Sequence, residues 1–157
     1  MLRRTAAIAV AAVGAATLAL PLHAADFRTT ADAPTVLYDA PSAKARPQFI
    51  FGRDVPLEVL VSVEGWTKVR DVSGTIGWIA NKSLAERRVL QVRVASADVR
   101  ANPDDAAPVA FRVAEGVLLE LAESASSPGT TTMPGWVKVK HRDGAVGFVR
   151  ISQVFGL

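Results

Sequence analysis

Hydrophobic and polar residues alternate in short runs along most of this chain, with the period of two that a half-buried strand requires. Residues 57–63 are rich in Leu and Val, and residues 66–70 and 75–80 alternate. Tight-turn signals stand at Ser73-Gly74 and Asp143-Gly144. In Trp66-Thr67-Lys68-Val69-Arg70 the pleat sends Thr67 and Val69 to one face and Trp66, Lys68 and Arg70 to the other. Val69 is therefore expected in the core and Trp66 outside it. The same parity groups Ile76 with Trp78 and Gly77 with Ile79. No stretch beyond residue 25 sustains a helical period, so the fold class is all-β.

The pattern occurs twice. Gly65-Trp66-Thr67-Lys68-Val69-Arg70 matches Gly135-Trp136-Val137-Lys138-Val139-Lys140, and Gly74-Thr75-Ile76-Gly77-Trp78-Ile79 matches Gly144-Ala145-Val146-Gly147-Phe148-Val149, each pair 70 positions apart. Upstream, Val55-Pro56-Leu57-Glu58 matches Val117-Leu118-Leu119-Glu120 at an offset of 62, so the second copy has gained 8 residues. The gain falls in residues 124–132, a polar stretch rich in turn formers that is expected to form a surface loop between strands. Shared Gly, Trp, Lys and Val in register point to duplication. Two units of about 60 residues, each built of several short strands, suggest small and strongly bent barrels. The expected boundaries are 27–86 and 91–157. The connection is short, and the alternation of Val89, Gln91 and Arg93 leads it directly into the second unit's first strand.

The first residues belong to neither unit. Arg3 and Arg4 precede an Ala/Val/Leu run over residues 6–20, and Pro21-Leu22-His23-Ala24-Ala25 offers small residues for cleavage. Residues 1–24 read as a secretory signal peptide. The alternative is an uncleaved anchor, but the run is Ala-rich, ends at Pro21 and is shorter than the ~20 residues a span needs. Cleavage after Ala24 leaves 133 residues and lowers the formal charge from +3 to +1, so most of the basicity belongs to the export signal. The remaining cations are interleaved with carboxylates and form no stripe, which argues against a nucleic-acid partner. No later apolar segment approaches membrane-spanning length, so no span is expected after cleavage, and the localisation expected is periplasmic or secreted. The chain has no Cys. That excludes disulfides, thiolate metal sites and cysteine nucleophiles, and leaves burial and ladder hydrogen bonds as the sources of stability.

The order of these pieces resembles the bacterial Src-homology-3 domain, an SH3-like barrel often repeated in exported cell-envelope proteins. The Gly-Trp-x-Lys-Val strand, the turn Gly and the Gly-aromatic-Ile/Val strand carry the resemblance, together with Ala97-Asp98-Val99-Arg100-Ala101-Asn102-Pro103 near the start of the second copy. The first copy has Thr35-Val36-Leu37-Tyr38-Asp39-Ala40-Pro41 there. The resemblance implies two tandem small SH3-like β-barrels. It also implies that Trp66 and Trp136 stand at a groove tryptophan and Tyr38 at a groove tyrosine. The groove proline of polyproline-binding relatives is replaced by Ala80 and Arg150, and a later tyrosine by Ser83 and Gln153. Polyproline recognition needs a ladder of rigid rings, so it is not expected here. What the resemblance implies instead is recognition of peptidoglycan or of an envelope protein or peptide, with Trp66 and Trp136 stacking on an apolar face. Lys68, Arg70, Lys138 and Lys140 would meet carboxylates. Trp78 and Phe148 fit rim packing more readily than ligand contact. The other reading of Trp66 and Trp136 is that they cap the open end of each barrel.

Catalytic chemistry finds little support. After signal removal the only histidine is His141, in the turn His141-Arg142-Asp143-Gly144, and no Gly-x-Ser-x-Gly elbow or phosphate-cradling loop accompanies it. Asp104-Asp105 follows Asn102-Pro103 and fits a turn better than a pair of carboxylates across a cleft. One histidine and scattered acids make no metal-ligand cluster, and no cofactor is expected. The reading is a non-catalytic binding module for peptidoglycan or another envelope ligand. The alternative is a periplasmic protein- or peptide-binding adaptor, with a small enzyme as a distant third.

Overall fold

The computed structural model describes residues 25–31, 34–122 and 134–157. The expected signal peptide and the expected 124–132 loop lie outside the described residues. The first repeat comprises β1 (Phe27–Thr30), β2 (Thr35–Tyr38), β3 (Pro47–Phe51), β4 (Pro56–Val63), β5 (Trp66–Arg70), β6 (Ile76–Ala80) and β7 (Leu84–Ala85). A 3-10 turn, Asn81–Ser83, joins the last two. The second comprises β8 (Val89–Val92), β9 (Ser96–Arg100), β10 (Val109–Ala114), β11 (Leu118–Leu121), β12 (Trp136–Lys140), β13 (Val146–Arg150) and β14 (Val154–Phe155), with the 3-10 turn Ile151–Gln153 before β14. All pairings are antiparallel, and no α-helix interrupts them among the described residues.

The two sheets have the same connectivity. Their strand orders are β3-β2-β6-β5-β4-β1-β7 and β10-β9-β13-β12-β11-β8-β14, the second repeating the first seven strands on. Tyr38 opposes Trp78 between β2 and β6, as Arg100 opposes Phe148 between β9 and β13. The expected barrels are two tandem SH3-like sheets whose ladders are not closed: each runs from one edge strand to another, with no described pair joining β3 to β7 or β10 to β14. Strong bending without a closing ladder follows from register shifts in β4/β5 and β2/β3, which bend a strand while leaving its edge unpaired.

The predicted parity holds along β5 and β6. Val69 is 0% exposed and Thr67 is buried, whereas Trp66, Lys68 and Arg70 are half-buried on the other face. Gly77 and Ile79 point inward, with Ile76 and Trp78 outward. Leu37, Phe51, Leu57, Val69 and Ile79 form the first core, and Val99, Val113, Leu119, Val139 and Val149 occupy the corresponding places in the second. Each repeat thus has its own apolar centre. Between them, Phe27 of β1 meets Phe155 of β14 edge to face, with ring centroids 5.1 Å apart.

Two features of the repeat have a steric origin. A Cβ on Gly77 would lie 2.6 Å from Leu37 Cγ and 2.9 Å from the Tyr38 carbonyl oxygen, and one on Gly147 would lie 2.7 Å from the Arg100 carbonyl oxygen. Only glycine lets β6 approach β2, and β13 approach β9, this closely. The hairpin turns after β5 and β12 place Gly74 and Gly144 at φ of 89° and 94°, in the left-handed region that glycine enters without steric cost.

Candidate functional site

The first repeat carries a groove of about 550 Å³, lined chiefly by Val36, Tyr38, Ala43, Trp66, Ala80 and Lys82. Strand pleat puts Tyr38 at the end of β2 and Trp66 at the start of β5, both on the outer face. Their rings meet edge to face at 5.5 Å between centroids and 88° between planes. That arrangement directs the positive edge of one ring at the negative face of the other. Beneath them Thr67 Oγ1 donates to Asn81 Oδ1 at 2.8 Å, and Asn81 N–H donates to the Gly65 carbonyl at 3.0 Å, fixing the turn that carries Lys82. The lining is largely apolar, with one cation at its edge.

Trp78 and Lys68 stand beside this groove rather than among its lining. Lys68 and Trp78 are cross-strand partners, and Lys68 Nζ sits 5.8 Å from the indole centroid, a cation–π contact. Arg70 is already engaged: Nε and Nη2 donate to the two Glu58 oxygens, each at 2.8 Å. Its fork is satisfied by a carboxylate from the same sheet. Sequence reasoning missed Val36, Ala43 and Lys82. The repeat alignment held a signal for Ala43, because the 62-residue offset sets it against Asp105.

The second repeat differs from expectation at its tryptophan. Trp136 was expected outside like Trp66, yet it is 8% exposed. Its backbone parity is unchanged, since Trp136 opposes Arg150 just as Trp66 opposes Ala80. The cover comes from that partner. The Arg150 guanidinium lies over the indole, 4.4 Å from its centroid, and its Nε donates to Asp105 Oδ1 at 3.2 Å while Nη2 donates to Asp105 Oδ2. The corresponding positions in the first repeat are alanines, Ala80 and Ala43. Of the second groove there remains about 230 Å³, bordered by Asp98, Arg100, Asp105, Trp136, Arg150 and Gln153. Charged side chains border it: Arg112 Nε donates to Asp98 at 2.7 Å, Arg100 Nη2 lies 3.6 Å from the same carboxylate, and Arg100 Nη1 donates to the Ala107 carbonyl at 2.7 Å. Lys138 faces Phe148 across the β12/β13 ladder, the register position of Lys68 and Trp78.

The turn histidine is paired with an acid. His141 Nδ1 lies 3.0 Å from Asp143 Oδ1, which also accepts the Ala145 N–H at 2.9 Å. The Ala145 hydrogen bond and, next, the His141 contact hold the Asp143 carboxyl below its ordinary value of 3.8. Asp104 accepts from Ala106 N–H at 2.9 Å, a turn contact, and the neighbouring Asp105 is committed to Arg150. Among the described residues no group of three or more His, Cys, Asp or Glu is placed to hold a metal ion, and no helix is long and apolar enough to cross a membrane.

Comparison with known proteins gives the chain its family. Residues 31–86 and 93–156 each match the model of the bacterial SH3 domain. The chain belongs to the bacterial SH3 domain family. Members of this family are typically non-catalytic binding modules that occur in extracellular or periplasmic proteins, and this chain carries two in tandem. No curated protein matches it. Among solved structures it is similar to NlpC1 from Trichomonas vaginalis (16% identity, TM-score 0.38, covering 87% of this chain and 47% of that one). It is also similar to NlpC2 from the same organism (16% identity, TM-score 0.36, covering 82% and 46%). A third is an NlpC/P60 family protein from Bacillus cereus (12% identity, TM-score 0.36, covering 83% and 56%). The chain spans about half the length of these three proteins.

Proposed function

We propose that this is an exported, non-catalytic binding protein of the periplasm or cell exterior that recognises peptidoglycan or a related envelope ligand through the groove of its first repeat. The observation that carries the reading is the Tyr38–Trp66 pair, two aromatic rings held edge to face on the wall of a 550 Å³ groove. A half-buried indole supplies a flat apolar surface for a sugar or peptide face. Lys82 at the groove and Lys68 beside it supply ammonium groups for the carboxylates of stem peptides.

A peptide or protein partner is the second reading, and one observation favours it. Phe49 and Ile50 on the edge strand β3 are 54% and 61% exposed, an apolar strand edge that is unpaired among the described residues and of the kind that peptide strands extend. Sedimentation with purified sacculi separates the two. A wall binder pellets and is released by soluble muropeptides, and Trp66→Ala lowers the pelleted fraction. A chain that stays in the supernatant and is instead captured by an envelope protein supports the adaptor.

A further inference from the structure

The two grooves are built from corresponding positions, yet one is open and the other is filled by the protein's own side chains. Trp66 and Trp136 correspond, Ala80 corresponds to Arg150, and Ala43 corresponds to Asp105. Two further lining positions differ as well, Val36 against Asp98 and Tyr38 against Arg100, but it is Arg150 on the strand after the tryptophan and Asp105 in the loop across the groove that lay an ion pair on the indole. The geometry points to a division of labour: Arg150 and Asp105 are the specificity-determining pair that closes the second groove to stacking ligands, so that the chain presents one aromatic recognition site rather than two. This deepens the binding reading above and rests on it for the ligand, although the closure itself does not.

The physical argument concerns what a ligand ring must displace. The indole face of Trp136 that a sugar or planar amide would cover is occupied by a guanidinium, which is weakly hydrated and stacks well on aromatic faces. Asp105 holds that guanidinium in place through both of its oxygens, so sliding it aside breaks a forked contact as well as the stack. In the first repeat a ligand meets the methyl groups of Ala43 and Ala80 at these positions. An exposed ion pair alone contributes little, but here it fixes the lid over a ring and so raises the cost of exposing it.

The test has two arms. In Trp66→Phe/Trp78→Phe protein Trp136 is the only indole, and neutral acrylamide measures its accessibility. Quenching is expected to be weak and to rise severalfold when Asp105→Ala and Arg150→Ala are added, with thermal melts verifying the fold. In the second arm a soluble disaccharide–tetrapeptide muropeptide is titrated calorimetrically into the chain. One site is expected. Ala43→Asp/Ala80→Arg should weaken it about tenfold or more, and Asp105→Ala/Arg150→Ala combined with Arg100→Tyr, which restores the counterpart of Tyr38, should add a second site. Two equivalent sites in the unaltered chain would overturn the inference while leaving the binding reading intact. So would strong quenching of Trp136 before the lid is removed, or an opened lid that adds no site while the first groove still binds. If the muropeptide binds no variant while Trp136 is shielded and then released as expected, the peptidoglycan reading fails and the closure stands.

Discussion

Tyr38 packs its ring against Trp66 edge to face, 5.5 Å between centroids, although the two come from strands that are not neighbours in the ladder. The contact bridges β2 and β5 over β6, where Ala80 is too small to fill the space. A groove therefore opens where the sheet would otherwise pack flat. Trp66→Ala removes the stacking wall and leaves the core of Leu37, Leu57, Val69 and Ile79 untouched. Ligand affinity should fall by roughly 1–3 kcal/mol with a small change in melting temperature. Calorimetry paired with a thermal melt checks both, and a large loss of stability at unchanged affinity would mean that Trp66 caps the barrel end.

Each repeat is expected to unfold by itself when its central valine is charged. Val69 and Val139 are 0% exposed, and an unpaired carboxylate there costs several kcal/mol, about what so small a domain has in reserve. Val69→Asp should abolish dispersed amide resonances from the first repeat and spare those of the second, and Val139→Asp the reverse. The two cores are separate clusters, so loss of one leaves the other's contacts in place. An amide correlation spectrum distinguishes selective from global unfolding, and a folded, cooperative Val69→Asp protein would contradict the face assignment.

Much of this was legible in the chain. The alternation of residues 66–70 gave the strand, its inward face and the core valine, because a period of two leaves no freedom about which side chains share a face. The 70-residue offset gave matching sheets. Trp136 shows where local pattern stops. Its parity was read correctly, but its burial depends on Arg150, from the next strand, and on Asp105, 45 positions from Arg150 in the chain, and alternation carries no information about such a pair. Lys82 escaped for a related reason: it sits in a 3-10 turn, and its place at the groove is set by the Thr67–Asn81 hydrogen bond rather than by pleat. The closed barrels suggested by short strands became open ladders because bulges bend β4 and β2 without joining the sheet edges.

The Asp143 turn should add a small acid-dependent term to the stability of the second repeat. Hydrogen bonding from Ala145 and then from His141 lowers the folded carboxyl below the unfolded value of 3.8. A group depressed in the folded state binds fewer protons there, so its stabilisation is present above the unfolded value and is lost as pH falls through the folded one. Melting temperature should decline over that acid range more steeply in the unaltered chain than in Asp143→Asn. The difference should be small, since the carboxylate is exposed, and smaller in high salt to the extent that charge contributes. Parallel curves for the two proteins would remove Asp143 from the account.

Gly77 links the fold to the groove. A methyl group there would press on Leu37 Cγ at 2.6 Å and Cδ1 at 2.8 Å, and on the Tyr38 carbonyl oxygen at 2.9 Å. Leu37 is fully buried in the core, and the carbonyl is backbone, so β2 itself must move. Overpacking of this kind costs about 1–3 kcal/mol. Displacing β2 also carries Tyr38 away from Trp66, so Gly77→Ala should lower the melting temperature of the first repeat and weaken its ligand together. Gly147→Ala presses on Arg100 and Val99 in the second repeat and should lower stability there without affecting a ligand held by the first. Melting curves and titrations of both variants read these two effects separately, and equal loss of binding in both would show that the site is not confined to the Tyr38–Trp66 groove.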